Sequence, residues 1–168
     1  ISTRYKAITQ RLNTDYWSTT SDTAHSLYVG SYGRNTAIQG FSDLDMLFQL
    51  PYSVYEQYNG YIRNGQSALL QAVKASIEKT YSTTSIRGDG QVILVPFTDG
   101  ITFEVVPAFL KDDIYTYPDA NDGGRWRKTN PKPEIEAIRT RNNVCNGNLV
   151  RLCRMMRSWK GKWEVPIG

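Results

Sequence analysis

Three acidic residues and one glycine–serine pair stand out in this chain as residues whose types and spacing could do chemistry. Gly30-Ser31 follows the apolar run LYV, and Asp43-Leu44-Asp45 opens the apolar run LDMLFQL. Residues i and i+2 of a strand point to one face, so Asp43 and Asp45 would stand side by side. Two such carboxylates repel and raise each other's pKa unless a cation neutralises them. Magnesium suits this role, because it takes oxygen ligands and shares them between carboxylates and substrate phosphates. The backbone after Gly30 lacks a Cβ and can approach a phosphate closely. Its N–H groups and the Ser31 hydroxyl would donate to phosphate oxygens, and a short helix starting in GRNTAI would add its positive end.

A D-x-D triplet alone is weak. With ten Asp in 168 residues, about 0.6 are expected by chance. Requiring a Gly-Ser pair just upstream lowers the expectation to roughly a few per hundred chains. Glu104 is the candidate third carboxylate, set in ITFEVVP between Phe103 and Val105. An acid in such a strand is costly to bury without a partner. Taken alone it reads as the solvated face of an edge strand; beside the D-x-D pair it reads as a ligand. Two ions about 4 Å apart would clamp an in-line phosphoryl displacement. Glu104 would then serve as metal ligand and candidate general base toward an attacking sugar hydroxyl. Two Mg²⁺ are expected, with Mn²⁺ able to substitute.

These residues need a sheet to hold them. Tyr5, Ile8, Leu12 and Tyr16 recur at helical spacing over 4–17. LYVG (27–30) reads as a strand entering a turn, and LDMLFQL (44–50) as a strand stopped by Pro51. Leu69, Leu70, Val73 and Ile77 mark a helix over about 65–80. STTSIRG (82–88), QVILVPF (91–97) and ITFEVVPAF (101–109) read as strands, the last two joined at Asp99-Gly100. Residues 111–124 are rich in Asp, Gly and Pro and read as loop. Pro131 and Pro133 start a helix with Glu134 and Glu136 in its first turn. Leu149, Leu152, Cys153, Met156 and Trp159 then form one face of a last helix, with Arg151, Arg154 and Arg157 on the others. The predicted class is α+β (mixed α/β) around one sheet.

Composition limits the alternatives. Apolar residues are 40% and charged residues 21%, enough for one packed core with a wet surface. No stretch approaches the apolar length of a membrane span, and ISTRYKAITQ lacks a signal-peptide core. Cys145 and Cys153 are too few for a disulfide framework and read as buried free thiols. With the single His25 they are too few for a structural zinc site. His25 itself reads as a loop or capping residue. Residues 125–162 carry eleven Lys and Arg against two Glu, and residues 1–124 carry nine against thirteen acids. That asymmetry fits a polyanionic partner or the solvated face of a terminal helix equally well. The chain opens on Ile1 and closes on GKWEVPIG, and both ends read as the edges of a fragment.

The pattern strand-G-S-x-G-R-x-T-A-I followed by S-D-x-D resembles the DNA polymerase β-type nucleotidyltransferase superfamily. More narrowly, the chain resembles the bacterial cGAS/DncV-like nucleotidyltransferases (CD-NTases). ITQRLN (8–13), FEVVPAF (103–109), WRKTNP (126–131) and LVRLCRMMRSWK (149–160) are similar to elements of that group. The resemblance implies a polymerase β-like core, a mixed sheet flanked by helices. Residues 1–130 would be the catalytic core. Residues 131–168 would be a helical segment leading into a C-terminal helical lobe that is mostly absent. It implies a bilobal enzyme joining nucleoside triphosphates, ATP and GTP among them, into cyclic or linear oligonucleotide second messengers in anti-phage defence.

Carried onto this chain, Asp43, Asp45 and Glu104 would bind metal. Gly30, Ser31 and Arg34 would hold the triphosphate, and Arg157 would stand where a triphosphate-binding lysine is usual. The chain has Asn35 where glycine is frequent and Glu104 where aspartate is common. Arg157 presents a planar fork rather than a point donor. The implied partners are nucleoside triphosphates and regulatory proteins, with no obligatory nucleic acid and no membrane, for a monomer in the bacterial cytoplasm. Two other readings use the same residues: transfer of a single nucleotide to an RNA end or a protein, and a non-catalytic nucleotide-binding module. Trp126 and Trp159 read as packing anchors, Arg151 and Arg154 as solvent-facing, and most of the eleven tyrosines as core or rim.

Overall fold

Alternation of side chains along two strands decides where the core lies and where the acids go. In β2 (Leu44–Gln49), Leu44, Met46 and Phe48 are fully buried. In β5 (Thr102–Lys111), Phe103 and Val105 are fully buried. The period of two sends Asp45 and Glu104 to the opposite face. A computed structural model describes residues 1–38, 40 and 43–163. Ser42 of the S-D-x-D pattern and the final EVPIG lie outside the described residues.

The elements follow in the order α1 (Ser2–Trp17), β1 (Ser26–Tyr28), α2 (Gly30–Gly33), β2, α3 (Tyr52–Asn59), α4 (Gly65–Glu78), β3 (Arg87–Asp89) and β4 (Val92–Pro96). After β5 come β6 (Ile114–Asp119), β7 (Arg125–Thr129), α5 (Pro131–Val144) and α6 (Asn148–Trp163). The sheet runs β1-β2-β5-β4-β3, with β6 pairing β5 and β7 pairing β6. Among the described residues, only the β2–β5 pair is parallel, so the sheet is mixed, as predicted. Helices α1, α3 and α4 bring Ile8, Leu12, Val54, Leu69, Val73 and Ile77 onto the core face. Asn64 caps α4 by accepting from the Ser67 N–H at 2.9 Å. None of the described helices is long and apolar enough to cross a membrane.

Several expectations need correction. The segment 111–124 is not a loop: it contains β6, which pairs with β7 from Tyr115↔Thr129 to Asp119↔Arg125. The stabilising partner lies outside that window. Asp119 is fully buried and accepts from Arg125 Nε at 2.9 Å and Arg127 Nε at 2.6 Å. The tight turn uses Asp112 and Asp113 at φ 50° and 60°, a region where Asp is tolerated better than most residues. STTSIRG contributes only its last two residues to a strand, because local bonds such as Thr84 N–H to the Tyr81 carbonyl coil it first. Helix α3 was not expected, since its buried side is built from Val54, Tyr55 and Tyr58 rather than from aliphatics.

The last helix also departs from expectation. Of α6, only Val150 is buried. Leu152 is 53% exposed, Met156 49% and Trp159 51%, so this face is not covered by any described element and Trp159 anchors nothing here. Trp126, by contrast, packs between Tyr55 and Phe109 and donates to Asn59 Oδ1 at 2.9 Å. Cys145 and Cys153 are free but half-buried rather than buried. His25 is held in a loop, stacked on Trp17 at 3.9 Å with Nδ1 2.6 Å from Asn13 Oδ1.

Candidate active site

The parallel register sets Asp45 directly opposite Glu104. Neighbouring strands lie about 4.8 Å apart, so these two side chains leave the sheet together on its non-core face. Burial pushes the pKa of Glu104 up, and the negative charges of Asp45 and Asp43 push it further. Burial also raises Asp45, partly offset by the Glu104 hydrogen bond, the Ser31 backbone N–H and the charge of Arg34. Two half-buried carboxylates held this close resist ionising together.

Asp43 takes a different place. It precedes β2 rather than lying in it, and it is exposed. Its Oδ1 accepts from the Thr102 N–H at 3.4 Å, two residues before Glu104 on β5. All three acids therefore gather at the same end of β2 and β5. Among the described residues, though, no group of three or more His, Cys, Asp or Glu is arranged to hold an ion. Asp45 and Glu104 form the close pair, and Asp43 sits beside it.

Gly30 and Ser31 meet these acids directly. Gly30 has φ +56°, and a Cβ built on it would fall within the Asp45 carboxylate, 2.6 Å from Cγ and 3.0 Å from Cβ. Only a glycine lets the turn come this close. Ser31 is buried, and its backbone draws the raised Asp45 pKa partly back down. The helix is also displaced from expectation: it is the single turn Gly30–Gly33, and GRNTAI continues from it as a turn.

The predicted triphosphate contacts divide. Arg34 bonds Glu134 Oε1 at 2.8 Å while its charge still reaches Asp45. Arg157 is half-buried on α6, three residues beyond Arg154. Arg154 is exposed, as expected, and it also donates to the Asn35 carbonyl at 3.1 Å and to Asn35 Oδ1 at 2.7 Å. Asn35 has φ 57°. Asn is one of the few residues besides Gly that visit the left-handed region readily, which accounts for Asn at a position where glycine is frequent. That substitution was the available signal for the contact.

The donor set fits a hard divalent cation. It consists of carboxylate oxygens, two of the carboxylates half-buried and level across the parallel pair, the anionic donors such an ion takes. The close approach at Gly30 leaves backbone, rather than a side chain, against the acids.

A family model described as the Second Messenger Oligonucleotide or Dinucleotide Synthetase domain (SMODS) matches residues 1–142. A protein of Bacillus cereus (strain VD146), described as a probable cyclic nucleotide synthase, is 27% identical over 104 residues, covering 58% of this chain and 28% of that protein. The Elizabethkingia meningoseptica CdnE cyclic dinucleotide synthase superposes with a TM-score of 0.66 at 18% identity, over 92% of this chain and 57% of that one. The Rhodothermus marinus CdnE c-UMP-AMP synthase superposes with a TM-score of 0.64 at 16% identity, over 96% and 62%. The chain thus spans less than two thirds of each of these relatives' lengths, and the structural likeness shows a shared polymerase β-like fold. A family match over residues 1–142, on a fold that seats Asp45 against Glu104 beside a Gly-Ser turn, places this chain in the second messenger oligonucleotide or dinucleotide synthetase family.

Proposed function

We propose that the intact protein is a metal-dependent nucleotidyltransferase that joins nucleoside triphosphates into a cyclic oligonucleotide, most simply a cyclic dinucleotide. The observation that carries this reading is the Asp45–Glu104 pair, desolvated and backed by the Ser31 turn. Asp43, Asp45 and Glu104 would hold the metal, and Gly30, Ser31, Arg34 and Arg157 would hold the triphosphate. Bound divalent cations would supply acidity to an attacking hydroxyl and charge neutralisation to the polyphosphate. The chain's own residues orient the reactants and manage the proton. A ribose hydroxyl oxygen bonds to the α-phosphorus of the second nucleotide, and the bond from that phosphorus to pyrophosphate breaks. The hydroxyl proton would leave to Glu104, the acid level with Asp45 across the parallel pair. A second round in the opposite sense closes the ring.

Residues 1–130 would be the catalytic core, with 131–168 leading into a helical lobe of the intact protein. Solved relatives bear on the substrates and partners. The Rhodothermus marinus enzyme was seen with Apcpp and Upnpp and the Elizabethkingia enzyme with GTP and Apcpp, so ATP or GTP is the first substrate to test. The E. coli MS115-1 CdnC was seen in complex with a HORMA protein, which makes a regulatory protein partner part of the proposal. A bacterial cytoplasmic role in anti-phage signalling completes it.

The test is incubation of the intact protein with labelled triphosphates and Mg²⁺ or Mn²⁺, followed by mass spectrometry of the nuclease-resistant product. A cyclic product with pyrophosphate is expected, abolished when Asp43 and Asp45 are changed to Asn together. A single-nucleotide adduct on RNA or protein would replace this reading with single-nucleotide transfer. Triphosphate binding without turnover would make the protein a binding module.

A further inference from the structure

Residues 33–35 follow directly on the Ser31 turn, and the two C-terminal helices grip them at three successive positions. At Gly33, the missing Cβ makes room for α5: a Cβ there would stand 3.0 Å from Ile135 Cδ1 and 2.5 Å from the Tyr28 carbonyl oxygen. Arg34 is ion-paired to Glu134 of α5 at 2.8 Å. Asn35 takes both donors of Arg154 from α6, one on its carbonyl at 3.1 Å and one on its Oδ1 at 2.7 Å.

The grip at Asn35 is connected to the acids. The Thr36 and Ala37 N–H groups donate to the Ser31 carbonyl at 2.8 and 3.1 Å. Ser31 follows Gly30, whose backbone lies against the Asp45 carboxylate, so that a Cβ there would stand 2.6 Å from Cγ. A bonded path therefore runs from Arg154 through Asn35 and the next residues of the turn to Ser31, beside Asp45. Arginine is the side chain for this task. Its planar fork engages two oxygens of one residue in fixed geometry, which a lysine ammonium does not do. The left-handed backbone of Asn35 offers both its oxygens to that fork.

We propose that Arg154 is a positioning residue: by clamping Asn35 it fixes the Ser31 turn where that turn can receive a triphosphate. This rests on reading the site as a nucleoside triphosphate site. Arg154 acts through Asn35 and not as a charge on the phosphates, because its Nε and one terminal nitrogen are already committed to Asn35.

The test uses non-hydrolysable ATP and GTP analogues with excess magnesium, titrated calorimetrically into the intact protein and its variants. Arg154→Ala and Arg154→Lys each weaken binding about tenfold, the scale of losing a charge-assisted hydrogen bond at a partly exposed site. Asn35→Gly keeps the backbone conformation and the net charge, so it folds. It weakens binding by a comparable factor through loss of Oδ1 alone. Combining Arg154→Ala with Asn35→Gly costs no more than the stronger single change, because both break one link.

Arg154→Lys binding like wild type would make Arg154 a point charge and overturn the proposal. Losses that multiply in the double variant, or an unaffected Asn35→Gly, would overturn it equally. All three outcomes would leave the site reading standing. Wild-type protein that binds neither analogue would instead refute the site reading, and this proposal with it.

Discussion

Replacing Gly30 by alanine isolates the contact on which the site geometry turns. The backbone strain comes first. Gly30 sits at φ +56°, where an L-residue with a Cβ costs about 1–2 kcal/mol. The second effect is local and steric. The new Cβ would overlap the Asp45 carboxylate, 2.6 Å from Cγ, so the acid must swing away from Glu104 and from the Ser31 N–H. A displacement of about 1 Å in a reacting group costs about 100-fold in rate. The expected result is a protein destabilised by only about 1–2 kcal/mol with turnover reduced at least about 100-fold. Gly100→Ala is the control, because Gly100 has φ +84° and a Cβ there meets nothing within 4 Å. It should show similar destabilisation and keep its turnover. Urea denaturation and pyrophosphate release measure the two quantities. Near-normal turnover in Gly30→Ala, or equal losses in both variants, would refute the reasoning.

Further expectations follow from the charges. Burial raises the folded-state pKa of Asp45 and Glu104. Their contribution to stability is therefore present below the ordinary carboxylate range and lost as pH rises through the raised values. Asp45→Asn should raise the unfolding temperature of the metal-free protein at neutral pH, leave it unchanged in acid and abolish turnover; no gain at neutral pH would contradict the assignment. Because bound magnesium must compete with protons for carboxyls whose pKa burial raises, its affinity should increase with pH, and its thermal stabilisation should vanish in Asp45→Asn. Equal magnesium affinity across the carboxylate range would count against the pair as ligands. Asp119 has the opposite sign: hydrogen bonds from Arg127 and Arg125 hold it well below the usual range. Its contribution is present above that range and lost as pH falls through the lowered value. Asp119→Asn should destabilise the protein at neutral pH, and the gap to wild type should close on acidification.

Short-range patterns in the chain were enough to locate the Gly30-Ser31 turn, the strands at 44–49, 92–96 and 102–111, and helices α1, α4 and α5. Each depends on a period of two, a period of 3.6 or a turn residue, and each is complete within about a dozen residues. They also named Asp43, Asp45 and Glu104. Tertiary structure alone decided that Glu104 stands level with Asp45, because parallel register is set by packing of the crossover and leaves no local mark. It alone moved Asp43 off the strand onto the Thr102 N–H. The β6–β7 hairpin was hidden because Asp119 is neutralised from the next strand. Arg154 was hidden because its partner, Asn35, lies 119 residues away. On α6, amphipathic spacing marked an apolar face correctly but could not say what covers it; burial is a property of neighbours, and periodicity reports only on the helix that carries it.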